Sequence, residues 1–265
     1  MSPYLLIVVG WAVSNAVFFT LWLLWRRGLK AAWVDVVWAA MTGLLAISFA
    51  ATCAYQGASL PRCLLVAMMA NLWSLRLTKH LNARVRRLPA DGEDSRYARM
   101  KNAAGPKAPA VFLAFYLAQA LWAVLFAIPM LGAALRPGPL AWTDALGLLI
   151  WVVALTGEAT ADAQLRRFAA DPAHKGQVCR AGLWAYSRHP NYFFEWLHWW
   201  AYLAIGIAGH SWGWLTLSGP FFMLFLLFTA TGVLPAELSS LRARGAAYAE
   251  YRRQVSPWLP WCRRK

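Results

Sequence analysis

Charge is what this chain has least of. Asp, Glu, Lys and Arg make up 14% of its 265 residues, against about 25% in an ordinary soluble domain. Negative charge is the scarcer sign: 11 Asp and Glu face 26 Lys and Arg, a formal net charge of +15. With 60% hydrophobic residues and a mean hydropathy of +0.43, a soluble globular domain is excluded. A long polar segment that could dock a duplex is missing too. The cations sit in short loops between apolar runs, so membrane topology explains them and nucleic acid does not. Cysteine is sparse. Cys53, Cys63, Cys179 and Cys262 form no C-x-x-C and lie beside no histidine at metal-ligand spacing, so no metal is expected. The Gly-rich dinucleotide fingerprint, the P-loop, H-E-x-x-H and G-x-S-x-G are all absent. A soluble dinucleotide fold, a P-loop NTPase, a zincin and an α/β-hydrolase are therefore unsupported.

What the chain has is long apolar runs. A hydrocarbon core of about 30 Å needs roughly 20 apolar residues as helix. Seven segments qualify or nearly do, at about 3–25, 31–55, 60–80, 109–135, 140–162, 191–209 and 212–233. The expectation is an all-α polytopic membrane protein, one membrane domain over 1–265, with the first helix and loop in 1–30. The third segment is marginal because Arg76, Lys79 and His80 enter its end. The run from Pro3 to Trp25 follows no basic residue and has no small-residue cleavage site, so it reads as a retained helix.

Basic residues set the expected orientation. They follow the first, third, fifth and seventh runs, and only Arg62 and Arg136 fall on the other side. The positive-inside rule then places the N-terminus outside and the C-terminus in the cytoplasm. The 81–108 and 163–190 segments and the tail are expected on one cytoplasmic face.

The richest stretch is Gly182-Leu-Trp-Ala-Tyr-Ser-Arg-His-Pro-Asn-Tyr-Phe-Phe-Glu-Trp-Leu-His198. Pro190 suits the first turn of a helix, where its missing N–H costs nothing. Asn191, Glu195 and His198 follow at i, i+4 and i+7, on one face. Polar groups in an apolar span are costly and usually face a cavity. Upstream, Glu158, Asp162 and Arg166 repeat every four residues. They form either a solvated helix end with an ion pair or, for the deeper Glu158, the wall of a polar cavity. Asp35 also has two readings. It snorkels or pairs with Lys30, or it floors a substrate cavity, where burial would raise its pKa and suit it to donate a proton. The cations from Arg76 through Arg87 serve topology, or clamp phosphates. Glu237 stands just past the last run, ahead of a tail that reads as an amphipathic interfacial helix with a Trp anchor.

Taken together, these residues resemble the steroid 5α-reductase superfamily of membrane enzymes, in particular its bacterial branch of unassigned function. The matching pieces are Asp35-Val-Val-Trp38, Leu75-Arg76-Leu77, Gly92-Glu-Asp-Ser-Arg-Tyr97, Glu158 through Gln164, Gly182 through Tyr192 with Glu195, and Tyr248-Ala-Glu-Tyr251 with Pro257-Trp-Leu-Pro260. They span roughly residues 31 to 261. The resemblance implies seven transmembrane helices and a cytoplasm-facing cavity holding NADPH. It implies hydride transfer to an activated carbon–carbon double bond of a lipid or steroid-like molecule. It also implies residue roles. Asn191 and Glu195 would hold the nicotinamide end, with Asp35 and Glu195 catalytic. Asp162, Arg166, Tyr186, Arg188, His189, Glu237, Tyr248, Tyr251 and Arg252 would complete the cofactor site, and Arg76 and Arg84 would reach phosphates. Two departures stand out. Trp73 replaces the tyrosine that helps polarise a steroid ketone, and an indole cannot supply a proton as a phenol can. Phe194 stands where glycine usually precedes the glutamate. Isoprenylcysteine carboxyl methyltransferases share the fold and an Arg-His-Pro helix start, so an S-adenosylmethionine-dependent methyltransferase is the alternative. A non-catalytic lipid-binding protein is a further one. Protein partners are left open.

Overall fold

A computed structural model describes residues 2–208, 210–229 and 232–260. Cys262 and the cations at 263–265 lie outside the described residues. The described residues form α1 (Pro3–Arg26), α2 (Trp33–Tyr55), α3 (Leu60–Arg86), α4 (Ser95–Ala104), α5 (Ala108–Ala134), α6 (Trp142–Ala170), α7 (Pro190–Gly206), α8 (Ser218–Thr229) and α9 (Val233–Gln254), joined by 3-10 turns. The only strand-like pairing among them is an isolated bridge between Ser187 and Ser256.

Five helical stretches are long and apolar enough to cross a membrane: Pro3–Arg26, Trp33–Tyr55, Ser95–Ala134, Trp142–Ala170 and Gly213–Gln254. The third and sixth expected spans do not meet that standard. Arg62, Arg76, Lys79, Arg84 and Arg86 dilute α3, and α7 has only 17 residues. At 1.5 Å per residue α7 is about 25 Å long, the short limit for a span.

The chain divides into two compact units: Met1–Ala141 with Gly206–Ser218, and Trp142–Ile205 with Gly219–Lys265. In the first, α1 buries one stripe, Leu6, Gly10, Ser14, Phe18 and Leu21. Its other faces expose Val8, Val9, Trp11, Val13 and Phe19, an apolar surface suited to lipid. Helices in lipid gain little from burial as such and rely on close van der Waals approach through small residues. Gly43 of α2 is an instance: a Cβ there would lie 2.3 Å from Ser74 Oγ of α3. The Ser74 hydroxyl donates to the Ala39 carbonyl at 2.7 Å, one helical turn away. The buried Arg62 closes the other end of this unit. Its guanidinium donates to the carbonyls of Arg136, Pro137, Gly138 and Pro139, beyond the end of α5. A cation is thus kept in an apolar fold by satisfying carbonyls that no helix can pair.

In the second unit α6 and α7 meet over two glycines. A Cβ on Gly147 would be 2.5 Å from Ile205, and one on Gly157 2.4 Å from the Phe194 ring. The large residue at 194 therefore lies on a residue with no side chain. Trp196 donates to the Pro220 carbonyl at 3.1 Å and packs edge-on against Trp258. Helix α9 breaks at Gly245, whose φ of +51° suits glycine and few others.

Candidate functional site

The segment before α7 is folded by contacts that its sequence spacing makes possible. Gly182 has φ +58°, and the Gln164 amide lies where a Cβ would sit. Gln164 Oε1 accepts from the Leu183 N–H at 2.9 Å, and the Trp184 indole donates to the Ala161 carbonyl at 2.9 Å. These two bonds seat the 3-10 turn Gly182–Ala185 on α6. Ser187 then pins the helix start. Its hydroxyl donates to the Trp258 carbonyl at 2.7 Å and accepts the His189 N–H at 3.1 Å. From α9, the buried Tyr251 phenol donates to the Trp184 carbonyl at 2.6 Å.

Arg188 is buried and occupied. Its Nε donates to Glu237 Oε1 at 2.7 Å, and Nη1 donates at 2.8 Å to the carbonyls of Arg252 and of Val255. Glu237, 6% exposed, also receives Arg252 Nε at 3.1 Å on its other oxygen. A buried pair repays desolvation only when its lone pairs and protons are satisfied, and both conditions are met here. Arg188, Glu237 and Arg252 thereby fix the start of α7 to α9.

In front of this lattice lies a cavity of about 320 Å³, walled by Arg188, His189, Asn191, Trp184, Tyr248 and Tyr251, with Arg244 and Tyr192 also lining it. Two buried polar atoms of its lining residues have no hydrogen-bond partner among the described residues: His189 Nε2 and Asn191 Oδ1. His189 Nε2 stands 3.6 Å from Glu237 Oε1, beyond hydrogen-bond reach. The Asn191 amide nitrogen leans on Asp162 Oδ1 at 3.4 Å, while its oxygen is buried and accepts no hydrogen bond. Burial lowers the His189 pKa to about 4; Glu237 opposes the shift and Arg188 adds to it. The imidazole is neutral at physiological pH and stacks on Tyr192 at 5.2 Å. Burial also raises the pKa of the Cys179 thiol beside it, which disfavours the nucleophilic thiolate.

Of the residues expected from sequence, Arg188, His189, Asn191, Tyr248 and Tyr251 line this cavity, and Asp162, Glu237 and Arg252 contact the lining. Tyr186 is 51% exposed and Arg166 exposed; neither lines it. Glu195 is half-buried and Glu158 buried, both outside the lining. The sequence alone assigns no role to Trp184 or Arg244. Trp184 belongs to the Gly182 motif; nothing in local spacing marks Arg244.

In the other unit Asp35 does not meet Lys30. The Lys30 ammonium turns to the Leu88 and Pro89 carbonyls. Asp35 instead accepts the Tyr97 phenol at 2.6 Å on one oxygen and Arg96 Nη2 at 2.8 Å on the other. Asp94 caps α4 through the Arg96 N–H and takes Arg84 at 2.6 Å. Burial works against ionisation of Asp94, but the Arg96 and Arg84 contacts win and its pKa is lowered. Arg84 is thus in a structural ion pair, and Arg76 is half-buried on α3. Trp73 is fully buried, edge-on to Trp38. Arg96 and Tyr97 close the Gly92–Tyr97 stretch, and their approach to Asp35 spans about sixty residues of sequence. No group of three or more His, Cys, Asp or Glu among the described residues is placed to hold a metal.

The profile of a family described as "Protein of unknown function (DUF1295)" matches residues 21–255, so the chain belongs to that family. No curated protein matches, and no solved structure matches.

The neutral His189 carries a pH signature. Above about pH 6.5 the imidazole is uncharged in both folded and unfolded chains. As pH falls from 6.5 toward about 4, the unfolded chain takes a proton that the folded one refuses, so stability falls. The loss levels off near 3 kcal/mol below about pH 4. Thermal unfolding in detergent should show that slope, and His189→Gln should flatten it. An identical slope in the variant would assign it to other groups.

Proposed function

We propose that this DUF1295 member is a membrane-embedded NADPH-dependent reductase. It would act on an activated carbon–carbon double bond of a lipid or steroid-like molecule. The observation that carries the reading is the pair of buried, unpartnered polar atoms, Asn191 Oδ1 and His189 Nε2, on two residues that line a cationic and aromatic cavity. Buried polar atoms are nearly always paired, so such a pair calls for a ligand or water. A nicotinamide carboxamide offers the N–H that Asn191 Oδ1 lacks. NADPH, when bound, supplies a hydride. At about 320 Å³ the cavity is at the small end of ligand sites. It suits the nicotinamide end, and the rest of a dinucleotide would extend beyond it. The remaining roles follow the resemblance. Glu195 stands beside Asn191 on α7, Arg188, Glu237 and Arg252 hold the cavity wall rigid, and Tyr186, Tyr248 and Tyr251 flank the cofactor. By the resemblance Arg76 and Arg166 supply cations for phosphates, whereas Arg84 is held by Asp94. By the resemblance alone, Asp35 takes the part of proton donor for the carbon next to the hydride acceptor. The chain is read with its N-terminus outside, its C-terminus in the cytoplasm and the cofactor drawn from the cytosol.

The purified protein should bind NADPH more tightly than NADH, with added salt narrowing the gap because screening weakens exposed charge pairs. Asn191→Leu should weaken NADPH by about tenfold, the value of one hydrogen bond in a dry site. S-adenosylmethionine and its demethylated product should not stabilise the protein in a thermal-shift titration. Stabilisation by the methyl donor alone would replace the reductase reading with a methyltransferase. Silence with every ligand would leave a lipid-binding protein.

Asp35→Asn should keep NADPH affinity while NADPH oxidation in proteoliposomes slows by about 10²-fold, the usual contribution of a positioned acid. Unchanged turnover would confine Asp35 to holding Arg96 and Tyr97.

Orientation is checked separately. A reporter active only in the cytoplasm should work after Lys265 and fail at Ser59. The opposite result would invert the topology and put the cavity outside the cell.

A further inference from the structure

The first unit contains a larger cavity that the proposed reaction does not use. Its volume is about 940 Å³, at the upper end for ligand sites, and it lies where α1 ends, α4 runs and α5 begins. Its floor is apolar: Trp25 of α1 stacks on Phe112 of α5 with centroids 4.2 Å apart and planes 6° apart. Its polar wall carries Arg26, Lys30, Lys101 and Asn102.

Two carboxylates also face it, and one of them is neutralised locally. Glu93 accepts the N–H groups of Ala31 and Ala32 at the start of α2 and of its neighbour Asp94. A carboxylate at a helix start is offset by the unpaired donors there. Asp91 is exposed and is the remaining anion. The balance of the wall is therefore positive. Lys30 uses two of its three N–H donors on the Leu88 and Pro89 carbonyls and keeps a third. Arg26 lies over the Trp22 ring at 5.3 Å, a contact that leaves the edge of its guanidinium open to an anion.

Both helices that frame the cavity belong to membrane-length apolar stretches. Exposed apolar side chains continue from it, Leu23 and Leu24 along α1 and Val111 along α5. An aromatic floor, a cationic wall and adjoining apolar helix surface match an anionic head joined to a hydrocarbon chain.

We propose that this cavity, between the end of α1 and the start of α5, binds the head of a phosphate-bearing lipid. Arg26, Lys30 and Lys101 meet the phosphate, and Trp25 and Phe112 support the first carbons of the chain. The inference stands on the first unit alone and does not depend on the cofactor reading. A free phosphate shares the head chemistry but not the chain, so the two are separable.

Native mass spectrometry of the full chain in detergent, titrated with short-chain phosphatidic acid and phosphatidylcholine, tests it. The wild type should prefer phosphatidic acid by at least about tenfold. Arg26→Gln with Lys101→Gln should abolish the preference. Lys30 is left in place because it also tethers the 88–89 turn. Arg87→Gln with Arg99→Gln removes the same charge from outside the cavity and should leave the preference intact. Trp25→Ala, which keeps every charge, should weaken phosphatidic acid. Equal losses in the two double variants would reduce the effect to general surface charge and overturn the site. Displacement of the lipid by inorganic phosphate at matched concentration would overturn the lipid assignment.

Discussion

The buried ion pair between Arg188 and Glu237 is the contact on which the architecture of the second unit's cavity depends. It joins residues 49 positions apart, both less than one-tenth exposed. Either charge alone in that place would be untenable, because one ion left buried without its partner costs several kcal/mol. The pair is completed by Arg252 and by two main-chain carbonyls that have no helical partner after α9 frays. Its consequence is geometric. With Ser187 and Tyr251 it holds the first turn of α7 against the chain near Ser256. Only then do His189 and Asn191 stand at a cavity wall with their polar atoms unanswered. The arginine that the resemblance assigns to a ligand is therefore a residue that ties the start of α7 to α9.

A related device recurs in the first unit on different residues. Asp94 is buried and carries Arg84 and Arg96, while Asp35 shares Arg96 with Tyr97. A chain with so few acids commits its most buried ones to internal arginines and helix starts. Arg26, Lys30 and Lys101 line the cavity of the first unit, and Arg188 and Arg244 that of the second. The net charge of +15 is thus more than a topology signal.

Much of the helical framework is legible in the amino-acid sequence, for physical reasons that can be named. Long apolar runs fix membrane helices because no other element satisfies its backbone in lipid; the observed ends of α1, α2 and α5 lie within about two residues of the expected spans. The Gly182–Tyr192 stretch stands out because polar residues are conspicuous in an apolar chain. Its residues do line one cavity, with Tyr186 turned out. Pairings across long sequence distances are not legible. Arg188 finds Glu237, and Asp35 finds Arg96 and Tyr97 instead of the nearby Lys30, because Lys30 is claimed by two turn carbonyls. Helical periodicity reports which face a residue occupies; it says nothing of which other helix arrives there. Helix α7 falls short as a span through its length and α3 through its cations. Hydropathy weighs residues singly, whereas Arg62 is made tolerable by four carbonyls more than seventy residues away.

Phe194 and Trp73 differ from the pattern the chain resembles, and they do so in unlike ways. Phe194 fills the hollow above Gly157, so its bulk is absorbed where α6 and α7 touch, away from the cavity lining. The substitution changes packing and leaves the polar wall intact. Trp73 is sealed in the first unit against Trp38 and exposes nothing to solvent. A fully enclosed indole cannot take over a phenol's part in polarising a substrate ketone. The phenol at hand is Tyr97, on a different helix, with its proton already directed at Asp35.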